Sequence, residues 1–518
     1  MMEGVLVSAK RAGSTITITV VTDAQGQYSF PQSRLEPGQY SIRIRAVGYD
    51  LDDPGPVEVK AQASTKLDLR LRKTRNLLAQ LSNGEWLMSM SGTEEQKQSF
   101  IGCTTCHTLE RITRSQHDAA EWVQVWLRMS NYSQGSTPSR PQLRPSAGRS
   151  GGGDMEAAPG NLLKSAQFAA TINLSTRATW DYELKILPRP KGKGTKVIIT
   201  EYDLPRKEAL PHDAIADSQG MVWYSDFGSQ FLGKLDPKTG KIVEYPVPLM
   251  DPKEPKGALD IGFDPEGKIW QGTMYQGVIA RFDPKTEKFE TWKSPKFGQG
   301  DAARTAMVTP TRLNVDGKVW VGADDEYQVD LKTGQWTAID YKRDIPKDSP
   351  LFNRNFGSYG VAVDSKNNFY GLNLGGEFVT RVDAKTMKAT PFATPTRNSG
   401  PRRGHMDDQD RLWFAEFRGN NIGMFDTKTE KFTEYKIPTP WTNPYDATLD
   451  KAGYAWTGGM SNDHIVRLNT RTGEVTEYLL PRMTNVRRVN VDNSTNPPTF
   501  WVGNNLGAAV IKVEPLEP

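Results

Sequence analysis

The chain has 518 residues with 65 Lys and Arg against 61 Asp and Glu, which leaves a formal net charge of +4. Such a balanced charge lacks the basic excess that nucleic-acid-binding proteins carry, so we expect no nucleic-acid partner. No run of eighteen apolar residues occurs, so we expect no membrane span. The 46 Gly, 34 Pro and 13 Trp are typical of a turn-rich β protein, and the length favours two to four domains.

The first ten residues, MMEGVLVSAK, contain no charged n-region, apolar core or cleavage site of a secretory signal. Read literally, this beginning indicates a cytoplasmic protein. The segment GVLVSAK already has the pattern of a strand, however. We therefore expect the sequence to begin inside a domain, without an upstream strand and signal.

Residues 1–73 alternate between apolar and polar side chains and break at turn residues, as β-strands do. They closely resemble the carboxypeptidase regulatory-like domain, a small transthyretin-like β-sandwich. The matching residues are Asp23, Gly26, Tyr28, Phe30, Leu35, Pro37, Gly38, Tyr40, Ala46, Gly48 and Tyr49. The resemblance implies a spacer or adhesion unit, and glycan binding is the alternative.

Residues 84–176 have a different pattern, in which apolar side chains recur at helical spacing. We predict helices over TEEQKQSFIG, over SQHDAAEWVQVWLRMS and over EAAPGNLLKSAQFAATI. The first of these helices leads into GCTTCHTLER, which contains both cysteines of the chain, Cys103 and Cys106, followed by His107.

The Cys-x-x-Cys-His segment resembles the attachment site of c-type cytochromes. That resemblance implies that Cys103 and Cys106 bind the vinyl groups of one haem c and that His107 is the proximal iron ligand. Residues 84–176 would then be a cytochrome c-like monohaem domain. Two alternatives stay open: a thioredoxin-like redox pair, although no βαβ pattern surrounds it, and a zinc site, although no other cysteine exists.

Met129 is the first candidate for the sixth ligand of the haem iron, because it ends the helix after the motif and resembles the Trp…Arg-Met pattern of related domains. Met155 and His117 are the alternatives. Haem attachment of this type takes place outside the bacterial cytoplasm. We therefore expect a periplasmic or exported protein, in spite of its first residues.

A repeat extends over residues 195–518. The tetrad Asp-x-Lys-Thr, or a close variant, begins at Asp236, Asp283, Asp330, Asp383, Asp426 and Asn469. An aromatic residue precedes each tetrad, and a seventh follows the last: Trp223, Trp270, Trp320, Tyr370, Trp413, Trp456 and Trp501. Gaps of 43 to 50 residues between these aromatics match a four-stranded propeller blade, and we expect the aromatics to pack in the blade cores.

The repeat leaves its last blade without an outer strand, whereas VIITEYDLP at 197–205 resembles the outer strands of the other blades. We therefore predict that this first strand completes a seventh blade and closes the ring. The predicted fold class is multidomain and mainly β: a transthyretin-like β-sandwich, a small α-helical cytochrome c domain and a C-terminal seven-bladed β-propeller.

The repeat PHDAIADSQGMVWYSDFGSQFLGKLDPKTGKIVEYPVP strongly resembles the streptogramin lyase (virginiamycin B lyase) family. That resemblance implies magnesium-dependent elimination of an ester C–O bond at the channel mouth, with His212 as the general base. Asp226, fourteen residues after His212, and Glu416 correspond to acidic positions of the family pattern. Three positions depart from that pattern: Leu210 replaces a metal-linked Glu, and Arg402 and Arg487 stand at positions of His.

Alignment of the blades on their aromatics places two sets of residues in successive rings at one end of the channel. The first ring is His212, Leu259, Thr309, Tyr359, Arg402, Tyr445 and Arg487, and the second is Asp213, Asp260, Pro310, Gly360, Arg403, Asp446 and Arg488. Such a mouth predicts a site for a polar or anionic ligand. Asp213 and the four arginines are its candidate ligand-binding residues, since paired guanidinium groups suit a carboxylate. The structural alternative is that these groups satisfy one another and water.

The sequence thus predicts an exported haem c-binding electron-transfer protein with a redox partner protein, in which the propeller is the substrate- or partner-binding body. One alternative is a streptogramin lyase-like C–O lyase with an accessory haem and a magnesium ion at the mouth. The other is a non-catalytic protein that binds carbohydrate or a cell surface.

Overall fold

The computed structural model describes residues 1–144, 160–173, 183–322 and 325–517. Met155, one of the alternative haem ligands, lies outside these ranges, and so does the beginning of the third predicted helix.

The N-terminal part is a β domain built from six strands: β1 (Leu6–Arg11), β2 (Ile16–Val21), β3 (Gly38–Arg45), β4 (Tyr49–Leu51), β5 (Val57–Val59) and β6 (Leu71–Lys73). Strand β1 lies between β2 and β3, β5 pairs with β3, and β4 and β6 form a separate two-stranded sheet. Val7 lies opposite both Val20 and Ile44, and this apolar face forms the domain core. A 3₁₀ turn spans Gln32–Arg34.

The middle part is helical and contains α1 (Asn83–Ser89), α2 (Glu94–Gln98), α3 (Glu110–Thr113), α4 (Ala119–Met129) and α5 (Gly160–Thr171), with 3₁₀ turns at Leu77–Gln80 and Ile101–Thr105. Ser82 and Asp118 begin α1 and α4 with capping boxes that satisfy the first backbone N–H groups of each helix. Phe100 stacks on Phe168 of α5 at 5.3 Å between ring centroids. In the described ranges, no helix is long and apolar enough to cross a membrane.

The C-terminal part is a β-propeller in which six antiparallel four-stranded sheets form separate blades. The strands of the first three blades are β8 (Pro211–Ala216), β9 (Val222–Asp226), β10 (Phe231–Asp236), β11 (Lys241–Pro246), β12 (Ile261–Phe263), β13 (Ile269–Gly272), β14 (Val278–Asp283), β15 (Lys288–Lys293), β16 (Met307–Thr309), β17 (Lys318–Gly322), β18 (Tyr327–Asp330) and β19 (Gln335–Ala338). One helical turn, α6 (Leu313–Asp316), joins β16 to β17, and 3₁₀ turns span Gly192–Thr195 and Gly300–Ala303.

The next three blades repeat the same order of strands. They are β20 (Gly360–Val363), β21 (Phe369–Leu372), β22 (Phe378–Val382), β23 (Ala389–Ala393), β24 (Pro401–Met406), β25 (Arg411–Glu416), β26 (Asn421–Asp426), β27 (Lys431–Lys436), β28 (Pro444–Leu449), β29 (Tyr454–Gly459), β30 (His464–Asn469) and β31 (Val475–Leu479).

An eight-stranded sheet, named here the closing sheet, joins the propeller to the N-terminal domain. It contains β32 (Val486–Asp492), β33 (Thr499–Asn504), β34 (Ala509–Pro515) and β7 (Val197–Asp203), followed by β2, β1, β3 and β5. The expected pairing of the first repeat strand with the last is present, since β7 pairs with β34. The prediction of seven separate blades is wrong, because the outer edge of β7 pairs with β2 and the sheet continues through the N-terminal domain.

One aspartate in each of several blades positions the buried aromatic that defines the repeat. Asp407 accepts backbone hydrogen bonds from Gln409 and Arg411, both at 2.9 Å, and one from the indole Nε1 of Trp413 at 3.0 Å. Asp450 serves Trp456 in the same way, at 2.8 Å from its indole. All seven repeat aromatics are buried, as predicted.

We predict that Asp407→Ala lowers the free energy of unfolding by about 2 kcal/mol, because two backbone N–H groups and the indole N–H of the buried Trp413 lose their charged acceptor. The neighbouring Asp408→Ala, at an exposed position, is the matched control and should change stability by less than about 0.5 kcal/mol. Urea unfolding followed by tryptophan fluorescence measures both variants. Equal stability of the two would contradict the assigned role.

Backbone and side-chain hydrogen bonds outweigh burial and hold the pKa of Asp407 below its usual range. The contribution of Asp407 should therefore be complete above about pH 4 and should be lost as the pH falls through its lower folded-state pKa.

Candidate functional site at the propeller mouth

Four inner strands carry a register shift at the same place, beside the channel mouth. The shifts lie between Pro211 and Ala214 in β8, and at the equivalent positions of β24, β28 and β32. Each shift contains one residue of the first predicted ring followed by one of the second. Bulges of this kind re-aim side chains, and here neighbouring residues enter two different layers of contacts.

The inner layer is a set of buried ion pairs across the propeller axis. Arg403 donates to Asp213 at 3.2 Å and also to Asp260. Arg488 donates to Asp213 at 3.0 Å and to Asp260 at 2.8 Å. Burial alone would raise the pKa of Asp213, but the two guanidinium groups hold it well below its usual range. Asp213 is therefore a carboxylate, and its charge is neutralised inside the protein.

The aspartates of this layer also join successive sheets. Asp213 Oδ2 accepts from the backbone N–H of Ile261 at 3.0 Å, and Asp260 Oδ2 accepts from that of Val308 at 3.1 Å. Asp446 likewise accepts from the backbone of the closing sheet and from His405. Of the predicted ligand-binding residues, Asp213, Arg403 and Arg488 thus already bind groups of the protein.

His212 lies in a hydrogen-bonded chain that connects Asp213 with the outer layer. Its Nδ1 is 2.6 Å from Asp213 Oδ1, its Nε2 is 3.0 Å from the Tyr445 hydroxyl, and that hydroxyl bonds the hydroxyl of Tyr359. His212 is 0% exposed, and burial lowers its pKa to about 3. The ring is therefore neutral: Nδ1–H donates to Asp213, and Nε2 accepts from Tyr445.

The three predicted catalytic residues have separate hydrogen-bond partners, although Asp226 lies opposite Pro211, the neighbour of His212, in the β8–β9 register. Asp226 accepts from the backbone N–H groups of Gly228 and Ser229 and pairs with Arg206, so it holds a loop. Glu416 accepts from Asn421 Nδ2 at 2.7 Å, and burial raises the pKa of its carboxyl to about 8. Within the described part of the chain, no hydrogen bond or ion pair links His212 with either acid.

A cavity of 480 Å³ lies between the mouth and the helical part. Its propeller wall includes Leu259, Met274, Met307, Tyr359, Arg402, Phe417, Met460 and Arg487, and its helical wall includes Gln98, Ile101, Gly102, Thr105 and Gln134. Asn485 Nδ2 donates to the carbonyl of Thr104 at 3.0 Å, which fixes the 3₁₀ turn over the mouth. The volume lies in the range of ~300–1,000 Å³ typical of cofactor and small-molecule sites.

Arg402 and Arg487 are two of the four arginines that line this cavity, together with Arg304 and Arg418. Arg402 lies over the ring of Tyr445 at 3.8 Å and over that of Phe417 at 4.3 Å. Arg487 donates to the side chain of Asn485. Burial would raise the pKa of Tyr359, but the charges of these two arginines outweigh it and lower that pKa. The outer layer is therefore electropositive, unlike the neutralised inner layer.

The Cys-x-x-Cys-His segment lies at the helical wall, with Cys103 on the 3₁₀ turn and Cys106 just after it. Both thiols are free. Burial raises the pKa of Cys106, while the charge of Arg487 acts in the opposite direction, so the propeller mouth and the motif are close. His107 Nδ1 lies 2.9 Å from the carbonyl of Thr108, and burial lowers its pKa. Nδ1–H of the neutral ring therefore donates to Thr108, which leaves Nε2 for a ligand bond.

This donor set fits covalent haem better than it fits a bare metal ion. Two thiols and a neutral imidazole with its Nδ1 hydrogen-bonded are the groups that haem c attachment requires. Among the described residues, no group of three or more His, Cys, Asp or Glu is arranged to hold a metal ion. At the mouth, Asp213 and Asp260 bind arginines, and the magnesium ion predicted there stays a prediction.

Met129 and His117, the two described candidates for the sixth haem ligand, do not line the cavity. Met129 is 39% exposed at the end of α4, and His117 packs edge-on against Trp122 and faces Glu121 at 3.6 Å. Sequence reasoning missed Met460, Phe417 and Asn485, which lie at the cavity or hold its wall. Phe417 directly follows Glu416 and Asn485 precedes Arg487 by two residues, but nothing in the sequence shows which side chains face the helices.

Comparison with known proteins bears on the N-terminal domain and the propeller. Residues 345–515 match the model of the Virginiamycin B lyase family, and residues 1–72 match that of the Carboxypeptidase regulatory-like domain. None of the curated proteins matches the chain.

Three solved structures share the propeller fold. Virginiamycin B lyase from Staphylococcus aureus is 21% identical with a TM-score of 0.50, and the match covers 61% of this chain and 98% of that one. A streptogramin B lyase is 20% identical with a TM-score of 0.52, covering 62% and 99%. A catalytically inactive form of the S. aureus enzyme with quinupristin is 20% identical with a TM-score of 0.51, covering 61% and 98%. The chain therefore carries a Virginiamycin B lyase-like propeller domain behind an N-terminal carboxypeptidase regulatory-like domain.

Proposed function

We propose that this chain is an exported haem c-binding electron-transfer protein in which the lyase-like propeller is the binding body. One observation carries the proposal: Gly102 and Thr105, the neighbours of Cys103 and Cys106 in the motif segment, line a cavity whose other wall is the propeller mouth. Cys103, Cys106 and His107 adjoin these wall residues in sequence and do not themselves line the cavity. Arg402 and Arg487 make that mouth electropositive, and residues of the helical part cover it.

The residues of the motif have distinct roles under this proposal. Cys103 and Cys106 would hold the haem through thioether bonds, and His107 would bind its iron through Nε2. The carbonyl of Thr108 fixes the tautomer and the orientation of the His107 ring. Bound there, the haem would supply one-electron transfer.

The protein surroundings support the same function. Ile101, Phe417 and Met460 contribute apolar surface around the cavity, which keeps water away from the redox site. Such burial and the nearby charges are the means by which a protein sets a haem potential. A redox partner protein would exchange electrons with the site.

The first test is the mass and the absorption spectrum of the full chain, exported and produced with the cytochrome c maturation machinery. We expect one covalent haem on the wild-type chain and none on the Cys103→Ala/Cys106→Ala variant, because the thioether bonds need both thiols. A wild-type chain with the mass of the bare polypeptide would contradict the proposal.

The ligand prediction is tested on the same material. We expect Met129→Ala to keep the covalent haem but to change the absorption of the reduced protein, because a sixth ligand determines the spin state of the iron. Met250→Ala, in a propeller loop, is the control. An unchanged spectrum of Met129→Ala would exclude Met129 as the sixth ligand and leave Met155 and His117 as the candidates.

A second candidate function is a streptogramin lyase-like C–O lyase with an accessory haem. The family match and the solved lyases favour it more directly than they favour a haem protein. The local geometry is less favourable, since His212 is fully buried and both ring nitrogens already have partners. Tyr359 is the member of its hydrogen-bonded chain that faces the cavity, so His212 would act on a substrate only through Tyr445 and Tyr359.

We expect no turnover of a cyclic streptogramin ester by the matured wild-type chain, with or without added magnesium, because His212 cannot reach a bound substrate. Product analysis by chromatography measures this. Magnesium-dependent turnover that is lost in His212→Ala and Tyr359→Phe, and kept in the outer-strand control Tyr435→Phe, would instead establish the lyase.

A further inference from the structure

Two buried arginines at the cavity have hydrogen-bond donors without a partner. Arg402 is 8% exposed and Arg487 is 2% exposed. Nε of Arg402 and Nη2 of Arg487 are buried and make no hydrogen bond. Burying a guanidinium group is costly unless its donors are paired, so these N–H groups indicate an anionic ligand.

Not every arginine at the mouth has buried donors without a partner. Arg403 and Arg488, the next residues along the two strands, bind the carboxylates of Asp213 and Asp260. In the described ranges, no carboxylate forms an ion pair with Arg402 or Arg487. Arg418 also lines the cavity, but its guanidinium donates to the carbonyls of Asn398 and Gly376.

Besides the Tyr359 hydroxyl, which hydrogen-bonds Arg402, the partners of the two arginines are aromatic rings, a sulfur and an amide oxygen, and none of these described partners is a carboxylate. Arg402 lies on aromatic rings and donates to the sulfur of Met460 at 3.5 Å. Arg487 lies over the rings of Phe227 and Tyr445 and donates to an amide oxygen. Aromatic faces and an apolar floor beside two cations suit a flat apolar molecule that carries carboxylates.

We propose that Arg402 and Arg487 form a carboxylate-binding site in the cavity between the propeller mouth and the helical part. Two sources share this chemistry: the propionate groups of an attached haem, which rests on the proposed function, and a free small organic acid. The position of Ile101 and Gly102 in the cavity wall, next to Cys103, favours the haem propionates.

The test uses the full matured chain with Arg402→Gln and Arg487→Gln, and with Arg471→Gln as a control that removes the same charge from an exposed turn. Arg487→Lys keeps the charge and separates its effect from packing. Circular dichroism checks folding, mass spectrometry checks haem attachment, potentiometry measures the midpoint potential, and calorimetry with succinate measures binding of a free acid.

If the propionates are bound, both Gln variants should keep the haem and shift the midpoint potential to lower values, because a nearby positive charge stabilises the reduced iron. Arg471→Gln should leave the midpoint potential unchanged. Arg487→Lys keeps the positive charge and should therefore keep most of the wild-type potential. If a free acid is bound, succinate should bind the wild type and bind each Gln variant about tenfold more weakly, with the potential unchanged.

Two results together would overturn the carboxylate site. The first is a wild-type midpoint potential in both Gln variants, and the second is succinate binding that is absent from all chains or equal in all of them. Absence of covalent haem from the wild-type chain would instead reject the proposed function. In that case succinate binding, lost in the Gln variants, would still support the arginine site.

Discussion

The buried ion pairs of Arg403 and Arg488 with Asp213 and Asp260 decide what the rest of the mouth can do. They connect two blades at one side of the axis with a third blade and the closing sheet, and each aspartate also holds a backbone N–H of the next blade. Removing one partner of such a buried pair typically costs ~3–5 kcal/mol, since the other charge is left uncompensated. Because these arginines already bind the aspartates of the axis, Arg402 and Arg487 are the arginines of the two predicted rings that lack a carboxylate partner in the described ranges.

The repeat made much of this arrangement predictable. Because the blades have similar lengths, equivalent positions meet at one end of the channel. The alignment on aromatics therefore placed Tyr359, Arg402 and Tyr445 in one ring, and these residues are in contact. The capping box of Asp118 with Glu121 is a local pattern that marks the start of α4, whereas the helix predicted over residues 115–130 began four residues too early.

Other features depend on contacts between segments far apart in sequence, which no local pattern records. The bond from Asn485 to Thr104 joins residues 381 positions apart and covers the mouth. The pairing of β2 with β7, which turns the expected last blade into half of a larger sheet, depends on how two domains meet. The sequence did not show that His212 is buried between Asp213 and Tyr445, because a position in a motif does not reveal the partners of its side chain.

The propeller has the fold of streptogramin lyases that are 21% and 20% identical to it, and a shared fold leaves the chemistry of the mouth undetermined. In this chain, Arg402 and Arg487 lie at the starts of inner strands and line the cavity at the mouth, while the repeat aromatics are buried in the blade cores. Gln98, Ile101 and Gly102 of the helical part form the opposite wall.

The closing sheet also has a consequence for the order of events during synthesis. Strand β7 is the first propeller strand to be made and its ring partner β34 is made after the other propeller strands, so the ring is incomplete until β34 has been synthesised. Throughout that interval one edge of β7 can already be occupied by β2, which emerges before it. Pairing with β2 covers one of the two edges of β7, so only the other edge waits for β34 and could pair with another copy of an unfinished chain.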